Sequence, residues 1–288
     1  MTVMSSHLEG ERFLLYVDIL GFRDLVQSNE TRAVYMLLDQ LLAQCEESKF
    51  LLKGFRTLYF SDTVLIYKES REFLERELLD ICFIASKLWC ALAANNIPCR
   101  GALAYGDFHA EMNSSGEHIV FCGKALVEAH DITEGTKLGN DWIGIRVCPS
   151  VLEVLEEDEN RLLMEGIDDE FYVYGPMFVV DENNEVLLNS LDVINREYGY
   201  YVRQGYELFD ECLGFVEALE ALDFILRKAS EVAINCQIED YVQRKYEFTL
   251  KTIRTMLSDR VIQWARLVCD HFRYPLFPFN PGEFEEGI

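Results

Sequence analysis

The sequence predicts an α+β fold: an antiparallel sheet with helices packed on one face. Three observations predict it. Short apolar runs rich in β-branched and aromatic residues recur between residues 12 and 147. Longer stretches with helical spacing of apolar residues separate them. A strand–turn–strand pattern occurs twice in that region.

The first run, Phe13-Leu14-Leu15-Tyr16-Val17-Asp18-Ile19, reads as a buried strand over 12–19, ended by Gly21. Residues 20–47 have helical spacing, with Leu25, Val34, Leu37, Leu38, Leu41, Leu42 and Cys45 on one side. Residues 54–66 read as a hairpin. Its strands are Phe55–Phe60 and Thr63–Tyr67, and Ser61-Asp62 is the turn. A long helix is expected from about Arg71 to Asn95, burying Leu78, Ile81, Cys82, Ala85, Leu88, Trp89 and Leu92. Pro98 lies just beyond its end. Cys99–Tyr105 is a further strand, and His118–Cys122 is expected to pair with it. Gly123 opens a helix, Lys124–Glu134, and Trp142–Val147 is a strand. Taken together, the order is that of a ferredoxin-like sandwich.

After Pro149 the character changes. Acidic clusters alternate with the strand candidates Phe171–Tyr174 and Met177–Val180, and residues 205–272 are almost wholly helical in pattern. A core over 1–150 and a segment over 151–288, with strands and then a mainly helical C-terminal extension packed on the core, is the expected division.

Charge and cysteine content narrow the functional classes. The 288 residues carry 50 acidic and 26 basic side chains, a net charge of −24. That balance speaks against binding a nucleic-acid backbone or an anionic membrane surface. The nine cysteines are scattered with no CxxC pair, as in a reduced cytoplasmic protein rather than a disulfide scaffold or a zinc site. No stretch is long and apolar enough for a transmembrane helix.

Chemistry points to Asp18. A carboxylate inside an apolar strand needs a partner, because burying an unpaired charge is costly. It either caps the following helix or binds a metal ion. Asp62, at the hairpin tip, is the second such acid. With the Ile19 carbonyl, Asp18 and Asp62 would make an oxygen-ligand site suited to Mg²⁺ or Mn²⁺. Other candidates have two readings each. Arg100 either acts in the site or pairs with a surface acid. Lys124 is a functional cation or a first-turn helix residue. Tyr59 and Phe60 are core residues or contacts to a ligand. His109, His118 and His130 show no metal-ligand spacing.

These residues resemble the class III nucleotidyl cyclases. Val17-Asp18-Ile19-Leu20-Gly21-Phe22 is similar to their first metal motif, and Ser61-Asp62 on a hairpin to their second. Arg100-Gly101-Ala102-Leu103-Ala104-Tyr105-Gly106 resembles their fourth-strand Arg-Gly segment, and Gly123–Ala129 the helix that follows. The resemblance covers about residues 12–148 and looks nearest to the pyrimidine cyclases of the Pycsar antiphage system. It implies that Asp18, Ile19 and Asp62 hold two divalent ions, Mn²⁺ or Mg²⁺, and that the N–H groups from Leu20 to Phe22 cradle phosphate. It implies cyclisation of a nucleoside triphosphate, in a homodimer whose product acts on a separate effector protein in antiviral defence. Two departures stand out. The base-reading position four residues before Asp62 is Leu58, so Arg56, Tyr59 and Phe60 become the candidate base contacts and a pyrimidine, UTP ahead of CTP, the expected substrate. The family's helix asparagine and arginine align with Val127 and Asp131, leaving Arg100 and Lys124 as the candidate cations. A purine cyclase and a non-catalytic module on the same fold are the alternatives.

Overall fold

A computed structural model describes residues 10–28, 32, 35–36, 39–40, 54–68, 74–95, 97–112, 119–135, 143–155, 167–168, 173–174, 177–181 and 184–190. The expected helical extension over 205–272 lies outside the described residues, as does most of 29–53.

The chain folds as α+β. Strand β1 (Glu11–Ile19) leads into a short helix α1 (Phe22–Ser28). The hairpin β2 (Phe55–Phe60) and β3 (Thr63–Lys68) follows, then the long helix α2 (Leu74–Ala94) and strand β4 (Cys99–Asp107). Next come β5 (His109–Met112), β6 (Ile119–Cys122), helix α3 (Lys124–Glu134), β7 (Ile145–Val147) and the short helix α4 (Pro149–Glu153). Strands β8 (Ile167–Asp168) and β9 (Val173–Tyr174) pair with each other, and β10 (Phe178–Val180) and β11 (Val186–Leu188) complete the described elements.

One seven-stranded sheet, in the order β10-β11-β7-β4-β1-β3-β2, forms the body. The pair β4–β7 is parallel and the others are antiparallel. Strands β10 and β11, from beyond residue 150, thus extend the main sheet.

Two expectations need correction. The strand ending at Cys122 does not pair with β4. It pairs with β5 in a separate two-stranded sheet, because β4 already has β1 on one edge and β7 on the other. Nor are the helices on one face. Residues Phe13 to Val17 of β1 are all buried, odd and even positions alike. A continuous apolar run of this kind belongs to a strand covered on both sides. On one side Phe13, Leu15, Val17 and Ile19 join Val64, Ile66 and Leu103 beneath α2, through Leu78, Ile81, Leu88 and Leu92. On the other, Leu14, Tyr16, Leu65 and Tyr67 meet Ala125 and Ala129 of α3. Small residues at Ala102, Ala104, Ala125 and Ala129 let α3 lie close to the strands.

Gly101 shows how tight the centre is. A Cβ built there would come 2.3 Å from the Tyr16 carbonyl oxygen, so only glycine fits between β4 and β1.

Candidate active site

The site forms where three central strands end on the α3 side of the sheet. In register, Asp18 of β1 faces Thr63 of β3 on one side and Arg100 of β4 on the other. Alternation along the strands puts Tyr16, Asp18, Thr63 and Arg100 on one face. Tyr16 and Thr63 bring their hydroxyl oxygens to 3.5 Å.

The hairpin turn delivers Asp62. Phe60 and Thr63 are the last paired residues, leaving a two-residue loop. Ser61 holds a positive φ of 57°, which non-glycine residues adopt rarely, so the tight turn is bought with local strain. The Ile19 N–H then donates to the Asp62 carbonyl at 2.8 Å, fixing the turn beside the end of β1. The next N–H, of Leu20, donates to Pro98 at 2.9 Å. Gly21 reverses the chain with φ +71°, and its carbonyl accepts from Asp24 and Leu25.

Asp18 does not cap α1. Its Oδ2 accepts from Arg100 Nε at 3.0 Å, and Arg100 Nη2 donates to Glu134 Oε2 at 2.8 Å. Burial holds the Asp18 carboxyl above its ordinary range. The Arg100 bond and charge pull it back, and Glu134 and Asp62 push it up again. Burial likewise raises the Tyr16 phenol, and the bond to Thr63 opposes it. Arg100 thus bonds two acids, Asp18 and Glu134, while Asp62 adds a further negative charge that acts on Asp18. That deficit of positive charge, with oxygen donors only, fits a hard divalent cation. Among the described residues no three acidic, His or Cys side chains converge closely enough to cage an ion unaided. Two carboxylates that leave the remaining positions to water and phosphate are the usual magnesium arrangement.

The structure separates the other candidates. Arg56 and Phe60 lie on the face that carries Thr63, while Tyr59 pairs with Val64 and lies on the opposite one. The Tyr59 ring sits 6.3 Å from that of Tyr35, and the Phe60 ring 5.8 Å from that of Phe121. Both are well exposed, so neither is core. Phe22 packs its ring against the α2-side core, leaving its backbone as the part that can serve a ligand. Lys124 is exposed, 3.8 Å from Asp107, at the first turn of α3. Glu134 is at the last turn, about 15 Å away along the axis. Lys124 and Arg100 therefore belong to opposite ends of this helix. Lys124, Val127, Glu128 and Asp131 line an open groove of about 640 Å³.

Sequence reasoning missed Tyr16, Thr63 and Glu134. The first two follow from alternation and register about Asp18, whereas Glu134 is found only through the docking of α3 on the sheet.

No family model matches the sequence, and no curated protein matches it. Solved structures do. The adenylyl cyclase CyaB from P. aeruginosa is similar at 15% identity and TM-score 0.41, over 51% of this chain and 81% of that one. The guanylate cyclase domain of RhGC from Catenaria anguillulae in complex with GTP is similar at 15% identity and TM-score 0.41, over 52% and 84%. A class III adenylyl cyclase-like ATP-binding protein from Pseudomonas aeruginosa is similar at 13% identity and TM-score 0.43, over 67% and 40%. What those proteins bind or make is a property of theirs.

Proposed function

We propose that this chain is a nucleotidyl cyclase of the class III kind. It would convert a pyrimidine nucleoside triphosphate, UTP ahead of CTP, to the 3′,5′-cyclic monophosphate and pyrophosphate. One observation carries the reading: the Ile19 N–H bond to the Asp62 carbonyl sets the turn acid beside Asp18 at a strand end that is short of positive charge.

In this reading Asp18, Asp62 and the Ile19 carbonyl hold two Mn²⁺ or Mg²⁺ ions. Such ions, when bound, acidify the ribose 3′-hydroxyl and neutralise the triphosphate. Arg100 offers charge-assisted hydrogen bonds to phosphate oxygens. The backbone cradle is smaller than first expected. The Leu20 N–H is committed to Pro98, so the cradle is left to Gly21 and Phe22. Arg56 and Phe60 share the face of the site and are the base contacts of choice. Leu58, without a polar group, gives a purine edge nothing to bond to. Lys124, distant from Asp18 within one chain, serves from the second protomer of a homodimer with two equivalent sites. The residues assigned to the site all lie before about residue 150, and β10 and β11 extend the sheet that carries them. A role for the product as a messenger to a separate effector in antiviral defence follows from the family resemblance alone.

A second reading has its own support. Arg100 already occupies an oxygen of Asp18, and a permanent ion pair there would give a non-catalytic nucleotide-binding or sensor module.

The test is incubation of the purified chain with Mn²⁺ and each of ATP, GTP, CTP and UTP, with products identified by mass. Cyclic UMP as the main product is expected. A dominant purine product would reassign the substrate, and no cyclic product from any nucleotide would favour the second reading.

A further inference from the structure

Arg100 stands between two carboxylates on different elements. Nε donates to Asp18 on β1 and Nη2 to Glu134 at the last turn of α3. Arg100 and Asp18 are mostly shielded, at 17% and 13% exposure, while Glu134 is at 37%. The strand register holds the arginine opposite Asp18, and the tight fit of Gly101 against Tyr16 leaves that register no slack.

We infer that Arg100 is a built-in counter-ion of Asp18 that a divalent cation displaces, and that Glu134 is the positioning residue that retains the displaced guanidinium. The inference rests on the reading of Asp18 as a metal ligand. Without a cation, Asp18 would be a shielded carboxylate with no opposite charge, and Arg100 supplies that charge. A divalent ion on Asp18 repels a guanidinium at bonding distance. Arg100 would then be stranded near the protein interior, were it not already bonded to Glu134 through a second nitrogen. Pivoting about that bond moves the charge outward without unpairing it. Glu134 thereby makes displacement easier and raises the affinity for the cation. Removing it returns Arg100 wholly to Asp18.

The test is Mn²⁺ binding to the full chain, with no nucleotide, followed by the electron paramagnetic resonance of free Mn²⁺. Arg100→Gln is expected to tighten binding about fivefold and Glu134→Gln to weaken it about fivefold, the weight of one partly exposed ion pair. The discriminating result is the double variant. In the Arg100→Gln background, Glu134→Gln is expected to change affinity by less than about twofold, since its effect passes through Arg100. An equal weakening in both backgrounds would reduce Glu134 to a nearby charge and overturn the inference. So would an Arg100→Gln affinity no tighter than wild type. Asp18→Asn separates the levels. Wild-type Mn²⁺ affinity in that variant would remove the metal site and the inference together. Lost affinity there, with Arg100→Gln and Glu134→Gln both silent, would remove the inference alone. Should Arg100→Gln fail to fold, Arg100→Lys replaces it. One ammonium lacks the fork that bridges two carboxylates, so Glu134→Gln is expected to lose its effect there too.

Discussion

Asp18 carries a cost that can be measured. Its carboxyl is held above the ordinary value of 3.8, chiefly by burial. A raised carboxyl pKa means that the folded chain holds its proton more tightly than the unfolded one. The associated stability is fully present below pH 3.8 and is lost as the pH rises through the folded-state value. In metal-free buffer, Asp18→Asn is therefore expected to melt at or above the wild-type temperature at pH 7, with the gap closing toward pH 3.8. Calorimetry across that range checks the sign; a variant that melts well below wild type at pH 7 would mean that the Arg100 pair outweighs desolvation. At this scale the sequence was legible in part. Asp18 and Asp62 stood out because a carboxylate at the end of an apolar run, or in a tight turn, is conspicuous. The trio Arg56, Tyr59 and Phe60 did not survive as a group. Strand alternation sends Tyr59 to the face opposite Phe60, and a list of neighbours in sequence hides that pleat.

At the scale of elements, the pinch between β1 and β4 decides the geometry. Gly101→Ala would drive a methyl group into the Tyr16 carbonyl. Forced overpacking of this kind costs about 3 kcal/mol, which a urea midpoint would report. Because Arg100 is the adjacent residue, the ion pair to Asp18 is expected to break in the same variant. The hairpin β2–β3 and the helices α2 and α3 were plain in the sequence, since turn residues, glycine and apolar spacing all agreed. The partner of β6 was not. Pairing is a competition for sheet edges, and β4 had none left once β1 and β7 were placed. The second helical layer was likewise hidden. Both faces of β1 are apolar, but only the assembled sheet shows that α3 covers one of them with alanines.

For the molecule as a whole, the separation of Lys124 from Asp18 makes a prediction about assembly. If each site draws Asp18 and Asp62 from one protomer and Lys124 from the other, Asp18→Asn and Lys124→Ala chains are each weak alone. Mixed, they are expected to regain activity, up to about a quarter of wild type, through heterodimers with one intact site. A mixture no more active than its parts would place Lys124 outside the site. The α+β class was legible because the alternation of element types dictates it, whereas the way two chains would meet depends on surfaces that no local pattern encodes. The central claim, that an acid at a strand end and an acid in a hairpin turn act as one cation-binding unit, is tested most directly by the rate of cyclic product formation from UTP and Mn²⁺. Asp18→Asn and Asp62→Asn are each expected to lose at least about a hundredfold, and the double variant no more than either single one. Wild-type turnover in either single variant would contradict it.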